Sequence, residues 1–219
     1  MSREVAVRAG APARVPAARR RAPRIGLFGG TFDPPHVGHL ALAEWARTQL
    51  ALDRVVFIPA GTPPHKAARA HTSAARRLAL TRLAVRGNPA FAVSAIETRR
   101  RGPSWTVDTV RDFAQTHPRA RLWLLLGADM FDTFASWREP AGILGHAAVA
   151  VALRPGSRRP RATKWARVGR GVVWLDNPGL EVSSSALRSR AARGLTLRYL
   201  VPDAVAKAIT RLGLYRSET

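Results

Sequence analysis

The 219-residue sequence contains no cysteine, and only 14 acidic residues stand against 36 lysines and arginines. Without cysteine the chain has no disulfides, no thiolate zinc site and no cysteine nucleophile. No apolar run approaches the roughly 18–20 residues that a membrane-spanning helix needs. Hydrophobic residues make up 46% of the chain, which is enough for an ordinary globular core. We therefore expect a cytoplasmic protein with no membrane partner.

The shortage of acidic residues leaves a formal net charge of +22, nearly all of it from arginine. Such an excess is typical of proteins with a polyanionic partner. Here the basic residues are spread along the chain without interleaved aromatic residues, which favours solvated surface charge with phosphate binding at a few positions. We expect no specific nucleic-acid partner; the alternative predicts salt-sensitive binding to any duplex. The oligomeric state stays open, with a homo-oligomer among the alternatives.

The densest group of basic residues lies in residues 1–23, where six arginines accompany a single glutamate. We predict that this segment is disordered and that residues 24–219 form a single domain. In that domain short continuous apolar runs alternate with helical stretches, which is typical of a doubly wound, Rossmann-like α/β fold with a parallel sheet and helices on both faces. The predicted strands are Ile25–Phe28, Val55–Pro59, Phe91–Ala95, Leu122–Leu126, Ala147–Leu153 and Val172–Leu175. The predicted helices are 37–50, 73–86, 106–116, 183–193 and 203–212, and Arg154–Arg170 is predicted to be a long surface loop.

A glycine turn, Gly29-Gly30, follows the first predicted strand directly and leads to a helix that begins near Val37. Ligands of such sheets collect at the carboxyl ends of the strands, and a helix N-terminus favours phosphate. His36 and His39 are three residues apart, so they share one face of the first helical turn. Both can donate hydrogen bonds to one phosphate chain. A metal pair is the alternative, but no cysteine, glutamate or third histidine stands nearby at ligand spacing.

The whole stretch, Phe28-Gly-Gly-Thr-Phe-Asp-Pro-Pro-His-Val-Gly-His-Leu40, resembles the signature of the nucleotidyltransferase superfamily with the (Thr/His)-x-Gly-His motif. Four later segments resemble those of the nicotinate-nucleotide adenylyltransferases and occur in the same order. They are Ile58-Pro-Ala-Gly-Thr-Pro-Pro-His65-Lys66, Glu97 with Arg101-Gly-Pro-Ser-Trp-Thr106-Val-Asp108, Leu126-Gly-Ala-Asp129 with Trp137-Arg138, and Val182-Ser-Ser-Ser-Ala-Leu-Arg188. Each segment alone is weak evidence, but five in register are highly specific.

The resemblance implies transfer of AMP from ATP to nicotinate mononucleotide, which gives deamido-NAD and pyrophosphate. It implies catalytic roles for His36, His39 and Arg188, with Mg²⁺ arriving on ATP and no metal site built by the protein. The residues implied for ATP binding are Phe28, Gly29, Gly30, Gly38, Ser183, Ser184 and Ser185. Those implied for nicotinate mononucleotide binding are Thr31, Phe32, His65, Lys66, Thr106, Asp129, Trp137 and Arg138.

The local chemistry of these segments agrees with such roles. Ser104 or Thr106 is expected to cap the helix at 106–116, whose free N–H groups would accept the pyridine carboxylate. The serines 183–185 are expected to cap the next predicted helix, which places Arg188 one turn in, where it can bind phosphate.

Trp137 is expected to stack on the pyridine ring, with a core aromatic as the alternative. Asp129 is expected to contact ribose hydroxyls, with a helix cap as the alternative. For the acceptor itself, nicotinamide mononucleotide and phosphopantetheine remain alternatives, and the Gly102–Thr106 segment favours nicotinate mononucleotide.

Overall fold

A six-stranded parallel sheet forms the centre of the protein, in the strand order β3-β2-β1-β4-β5-β6. A computed structural model describes residues 21–61, 72–153, 164–177 and 179–216. The strands are β1 (Arg24–Gly30), β2 (Arg54–Pro59), β3 (Phe91–Val93), β4 (Arg121–Gly127), β5 (Ala147–Ala152) and β6 (Val172–Leu175). All six predicted strands are present, and the doubly wound α/β fold is confirmed.

Helices connect the strands and cover both faces of the sheet. They are α1 (Val37–Gln49), α2 (Ala74–Ala84), α3 (Ile96–Arg99), α4 (Thr106–Thr116), α5 (Ala128–Asp132), α6 (Pro140–His146), α7 (Ser184–Ala192) and α8 (Asp203–Arg211). Short 3₁₀ turns lie at Phe134–Ser136 and Lys164–Arg167. Among the described residues, none of the helices is long and apolar enough to cross a membrane.

Side chains of opposite parity along the strands build two separate cores, one on each face of the sheet. Leu27, Val56 and Leu124 belong to the core under α4 and α6. Phe57 and Leu125 belong to the core on the other face, under α1. A third apolar cluster joins α2, α7 and α8. The two C-terminal helices are therefore held beside the sheet by this cluster.

Several boundaries differ from the predictions. The strand predicted over Phe91–Ala95 ends at Val93, and the chain enters α3 two residues later, where the Ser94 hydroxyl accepts a hydrogen bond from the Ile96 amide. The loop predicted over Arg154–Arg170 is wrong at its end, where Lys164–Arg167 form a 3₁₀ turn. Residues 154–163 lie outside the described residues. Helices α3, α5 and α6 were not predicted, since elements of four to seven residues show no apolar period.

Contacts of the folded domain begin slightly before residue 24. The Arg21 guanidinium forms an ion pair with Asp53 at 2.7 Å, and the Pro23 carbonyl accepts from the Arg121 amide at 2.7 Å. Residues 1–20, for which disorder is predicted, lie outside the described residues.

The strand order fixes where a ligand can bind. From β1 the chain builds outward through β2 and β3, then returns to the centre and builds the other half from β4. Strands β1 and β4 are therefore neighbours whose following segments diverge, and this switch point is where Rossmann-type sheets bind nucleotides. The segments after Gly30 and Gly127 both begin there.

Candidate active site

The turn after β1 is shaped by a buried aromatic ring. Phe32 is 1% exposed and has a positive φ of 52°, which a phenylalanine rarely adopts. Its ring lies against Gly30, where an added Cβ would come within 2.9 Å of Phe32 Cζ. Glycine at this position therefore lets the ring fold under the turn. Apart from its chain neighbours, no atom of the described residues lies within 4 Å of the position that a Cβ on Gly29 would take.

His36 and His39 form a close, tilted ring pair at the start of α1. Their ring centroids are 3.7 Å apart, which confirms that the two side chains share one face. The His39 ring also packs edge-on against Phe32 at 4.9 Å, and it lies 6.1 Å from the ring of Phe28. His39 Nδ1 accepts a hydrogen bond from the His36 backbone amide at 3.2 Å. In the neutral imidazole the proton then resides on Nε2, which is a donor.

Burial keeps both rings uncharged at neutral pH. It lowers the pKa of His36 to about 4. It also lowers the pKa of His39 well below the ordinary value, and the neighbouring His36 adds to the effect. The pair therefore presents neutral, desolvated N–H donors, and not two cations.

Gly38 makes room for this arrangement. An added Cβ at Gly38 would lie 3.1 Å from His36 Nδ1, so any larger residue would push the ring. His36 Nδ1 is buried and has no hydrogen-bond partner among the described residues.

The N-terminus of α7 lies directly over the turn. The Ser184 hydroxyl donates to the Pro34 carbonyl at 2.9 Å, and Arg188 Nη1 donates to the Asp33 carbonyl at 2.8 Å. The Ser183 hydroxyl caps the helix as predicted. The Val182–Arg188 segment is therefore brought to the Phe28–Leu40 stretch, across a separation of 150 residues. Ser185 is exposed in the first turn of the helix.

Asp33 forms a buried centre to which the sequence analysis gave no role. It is 1% exposed, and its carboxylate accepts from the Tyr215 hydroxyl at 2.6 Å and from the hydroxyl and amide of Thr72. Burial raises the pKa of Tyr215, and the hydrogen bond to Asp33 acts in the same direction. These bonds tie the turn to the segment before α2 and to the residues after α8. Nothing in the local sequence around Asp33 shows such distant partners.

A buried arginine, Arg77, was also missed. It lies on the inner face of α2, where Leu80, Thr81 and Ala84 complete an i, i+3, i+4, i+7 pattern of buried residues. An arginine at the first position of an otherwise buried face was the signal that could have found it.

The N-terminus of α4 is a second candidate anion-binding feature. The capping prediction is wrong: the N-cap residue is Trp105, and no side chain of the described residues caps the helix. Ser104 is buried instead, with its hydroxyl directed to the Glu97 carbonyl at 3.4 Å. Thr106 is the first helical residue. The first amides of α4 therefore keep their hydrogen-bonding capacity, as an anion site requires.

The second and third resembling segments meet at this helix end. The Arg138 guanidinium lies over the Trp105 ring at 5.4 Å from its centroid. Trp137 is half-buried against the core and donates from Nε1 to the Thr133 hydroxyl at 3.2 Å. Asp129 lies exposed in the first turn of α5, directly after β4. His65 and Lys66 lie outside the described residues.

The candidate metal ligands at the histidine pair are ring nitrogen atoms and not carboxylate oxygens. Over the described ranges, no group of three or more His, Cys, Asp or Glu side chains is placed to hold a metal ion. Two neutral imidazoles are a poor match for Mg²⁺, which prefers oxygen ligands.

Comparisons with known proteins agree with this geometry. The family model described as cytidylyltransferase-like matches residues 27–190. Together with the Rossmann-type sheet and the histidine pair at its switch point, this match defines the chain as a nucleotidyltransferase.

Relatives matched over nearly their whole length identify the family within the nucleotidyltransferases. A protein of Thermomicrobium roseum, named a probable nicotinate-nucleotide adenylyltransferase, is 44% identical over 197 residues, which cover 89% of this chain and 92% of the relative. A protein of the same name from Exiguobacterium sibiricum is 45% identical over 194 residues and is covered to 98%, with 88% of this chain matched. The chain belongs to the nicotinate-nucleotide adenylyltransferase family.

Solved structures support the fold. The Plasmodium falciparum nicotinic acid mononucleotide adenylyltransferase complexed with NaAD superposes with a TM-score of 0.72 at 15% identity, covering 88% of this chain and 97% of that one. The same enzyme complexed with APC gives a TM-score of 0.71. At this identity the likeness extends to the fold alone.

Proposed function

We propose that this chain joins nicotinate mononucleotide to the AMP part of ATP, forming deamido-NAD and pyrophosphate in the cytoplasmic synthesis of NAD. The observation that carries the proposal is the neutral His36–His39 pair, held under the phosphate-binding turn at the β1–β4 switch point. Family membership through relatives at 44% and 45% identity supports the choice of reaction.

The chemistry needs no general base. A phosphate oxygen of nicotinate mononucleotide attacks the α-phosphorus of ATP, the bond from that phosphorus to the bridging oxygen breaks, and pyrophosphate leaves with the electron pair. The attacking phosphate is already an anion at neutral pH, so the protein contributes positioning and stabilisation of negative charge. Neutral N–H donors suit that task, because they lose no proton to the nucleophile or to the leaving group.

On the ATP side of the proposed site, His39 Nε2 and the backbone amides at the start of α1 donate hydrogen bonds to the triphosphate. His36 contributes the second donor, and Gly29 and Gly30 let phosphate approach the backbone. Arg188 is held beside the turn by its bond to the Asp33 carbonyl. Its remaining guanidinium donors are assigned to the leaving pyrophosphate.

On the acceptor side, the uncapped N-terminus of α4 receives the pyridine carboxylate, with Thr106 in its first turn. Trp137 stacks on the pyridine ring, and Asp129 binds ribose hydroxyls. Arg138, whose guanidinium lies over the Trp105 ring, completes the acceptor side of the site. His65 and Lys66 are assigned to the acceptor phosphate from the sequence alone.

Mg²⁺ enters this proposal bound to ATP, since the donor set described above does not suit a resident magnesium ion. The +22 charge is assigned to surface arginines without a specific nucleic-acid partner. Fluorescence anisotropy with a labelled duplex tests that assignment: tight binding that survives physiological salt would contradict it.

The reaction is tested by measuring pyrophosphate release from MgATP with nicotinate mononucleotide, with nicotinamide mononucleotide and with phosphopantetheine. We expect rapid release with the nicotinate form and much slower release with the other two, because only it presents a carboxylate to α4. Equal rates with both pyridine nucleotides would contradict the proposed role of the α4 N-terminus in binding the pyridine carboxylate.

A further inference from the structure

Arg77 has the largest side chain among the fully buried residues that the structure describes, and it is 1% exposed. Its three nitrogen atoms each donate to a different backbone carbonyl. Nε bonds the Thr72 oxygen at 3.2 Å, Nη1 the Thr31 oxygen at 2.9 Å and Nη2 the Gly61 oxygen at 3.1 Å. Burying a guanidinium is unfavourable unless such bonds compensate it, so this arrangement calls for an explanation beyond the packing of α2.

The three carbonyls belong to separate stretches of chain. Thr31 lies in the turn after β1, Gly61 lies just beyond β2, and Thr72 precedes α2. Because the guanidinium is planar and its donors point in fixed directions, it sets the distances among all three. A flexible cation with one donor atom could not do so.

Gly61 is held from its other side by Glu97. A Cβ on Gly61 would overlap the Glu97 carbonyl oxygen, so the two backbones are in close contact. The Gly61 backbone also bonds to the Glu97 carboxylate, which accepts in addition from the Thr109 hydroxyl of α4 at 2.8 Å. Gly61 is therefore fixed between a buried cation and a buried anion, and the anion is linked to α4.

We propose that Arg77 and Glu97 are positioning residues for the acceptor nucleotide. They hold Gly61 at a set distance from Thr31 on one side and from α4 on the other. This inference rests on the proposed function, in which Thr31 and the α4 N-terminus bind nicotinate mononucleotide. Neither side chain touches a reacting atom, so both act through the backbone segments that they hold.

The test is the replacement Arg77→Lys, which keeps the charge but cannot bond three separated carbonyls. Its matched control is Arg82→Lys, at an exposed position of the same helix. We expect KM for nicotinate mononucleotide to rise about tenfold, the usual consequence of leaving a buried acceptor unpaired, while KM for ATP stays within about twofold. A purely structural role would lower the melting temperature and shift both constants alike, and that result would overturn the inference.

Glu97→Gln provides the second variant, because it removes the negative charge and replaces one accepting oxygen with an NH₂ group, which cannot accept a hydrogen bond. It should give the same selective rise in KM, about threefold, and it decides the question if Arg77→Lys does not fold. Failure of Glu97→Gln to separate the two constants would then overturn the inference. A wild-type enzyme that neither binds nicotinate mononucleotide in a calorimetric titration nor releases pyrophosphate would instead refute the proposed function.

Discussion

The two sides of the site are built in different ways. On the ATP side, one stretch of twelve residues, Phe28–His39, supplies the strand end, the turn, the helix start and both histidines, and half of its residues are buried. On the acceptor side, Thr106, Asp129 and Trp137 come from separate elements and are half-buried or exposed. In the proposed site, charge stabilisation is therefore assigned to one continuous stretch of chain, whereas acceptor recognition is assigned to segments that distant parts of the chain bring together.

The largest expected effect is on the ATP side. His39→Ala removes the proposed donor to the triphosphate, and turnover should fall by roughly two to four orders of magnitude, as for the loss of a transition-state contact. Steady-state pyrophosphate release measures the loss, and circular dichroism checks that the variant is folded. His117→Ala, at an exposed histidine after α4, is the control and should keep the wild-type rate. Near wild-type turnover of folded His39→Ala would contradict the role of His39.

The next prediction concerns pH and stability. The pKa of His36 is about 4 in the folded protein and near 6.5 in the unfolded chain. Between these values the unfolded chain takes up a proton that the folded protein does not, so stability falls as the pH falls through this window. The loss from this group amounts to about 3 kcal/mol. Urea unfolding of wild type and His36→Gln between neutral pH and about pH 4 should show a flatter profile for the variant. Parallel profiles would mean that the buried ring is not held neutral.

On the acceptor side, Trp137→Ala should raise KM for nicotinate mononucleotide about tenfold, since stacking on a ring contributes on the order of 1–3 kcal/mol. KM for ATP should change little, because Trp137 lies on the α4 side of the site. Trp137→Phe keeps a ring in place and should recover most of the affinity. If both constants rise together, the two sides are not separable in the way described.

The smallest effect is expected at the edge of the turn. Apart from its chain neighbours, the methyl of Gly29→Ala meets no atom of the described residues within 4 Å, so the melting temperature should stay unchanged. The added methyl would occupy space assigned to phosphate, and we expect KM for ATP to rise by about fivefold, close to 1 kcal/mol. An unchanged KM for ATP would show that phosphate does not approach this part of the backbone.

The same contrast explains what the sequence could predict. The sheet, α1, α4 and the histidine pair followed from local patterns: continuous apolar runs, a glycine turn and a spacing of three residues. The buried contacts of Asp33 with Thr72 and Tyr215 could not be predicted, because they join residues 39 and 182 positions apart. Only one local signal in the sequence pointed to Arg77, namely a charged residue on the apolar, buried face of α2.

The error at α4 has the same origin. Serine and threonine beside a helix start predict a cap, but the Ser104 hydroxyl is turned toward the Glu97 carbonyl. A local preference was overridden by a tertiary contact. The outcome favours the proposed function more than the predicted cap would have, since it leaves the first amides of α4 available to an anion.

The central claim is the identity of the acceptor, and a competition experiment tests it most directly. The protein is given MgATP with equal concentrations of nicotinate mononucleotide, nicotinamide mononucleotide and phosphopantetheine, and the products are identified by mass spectrometry. Because product ratios in one mixture report relative kcat/KM, we predict that deamido-NAD predominates. A mixture in which NAD or dephospho-coenzyme A predominates, or in which folded protein forms none of the three products, would contradict the account.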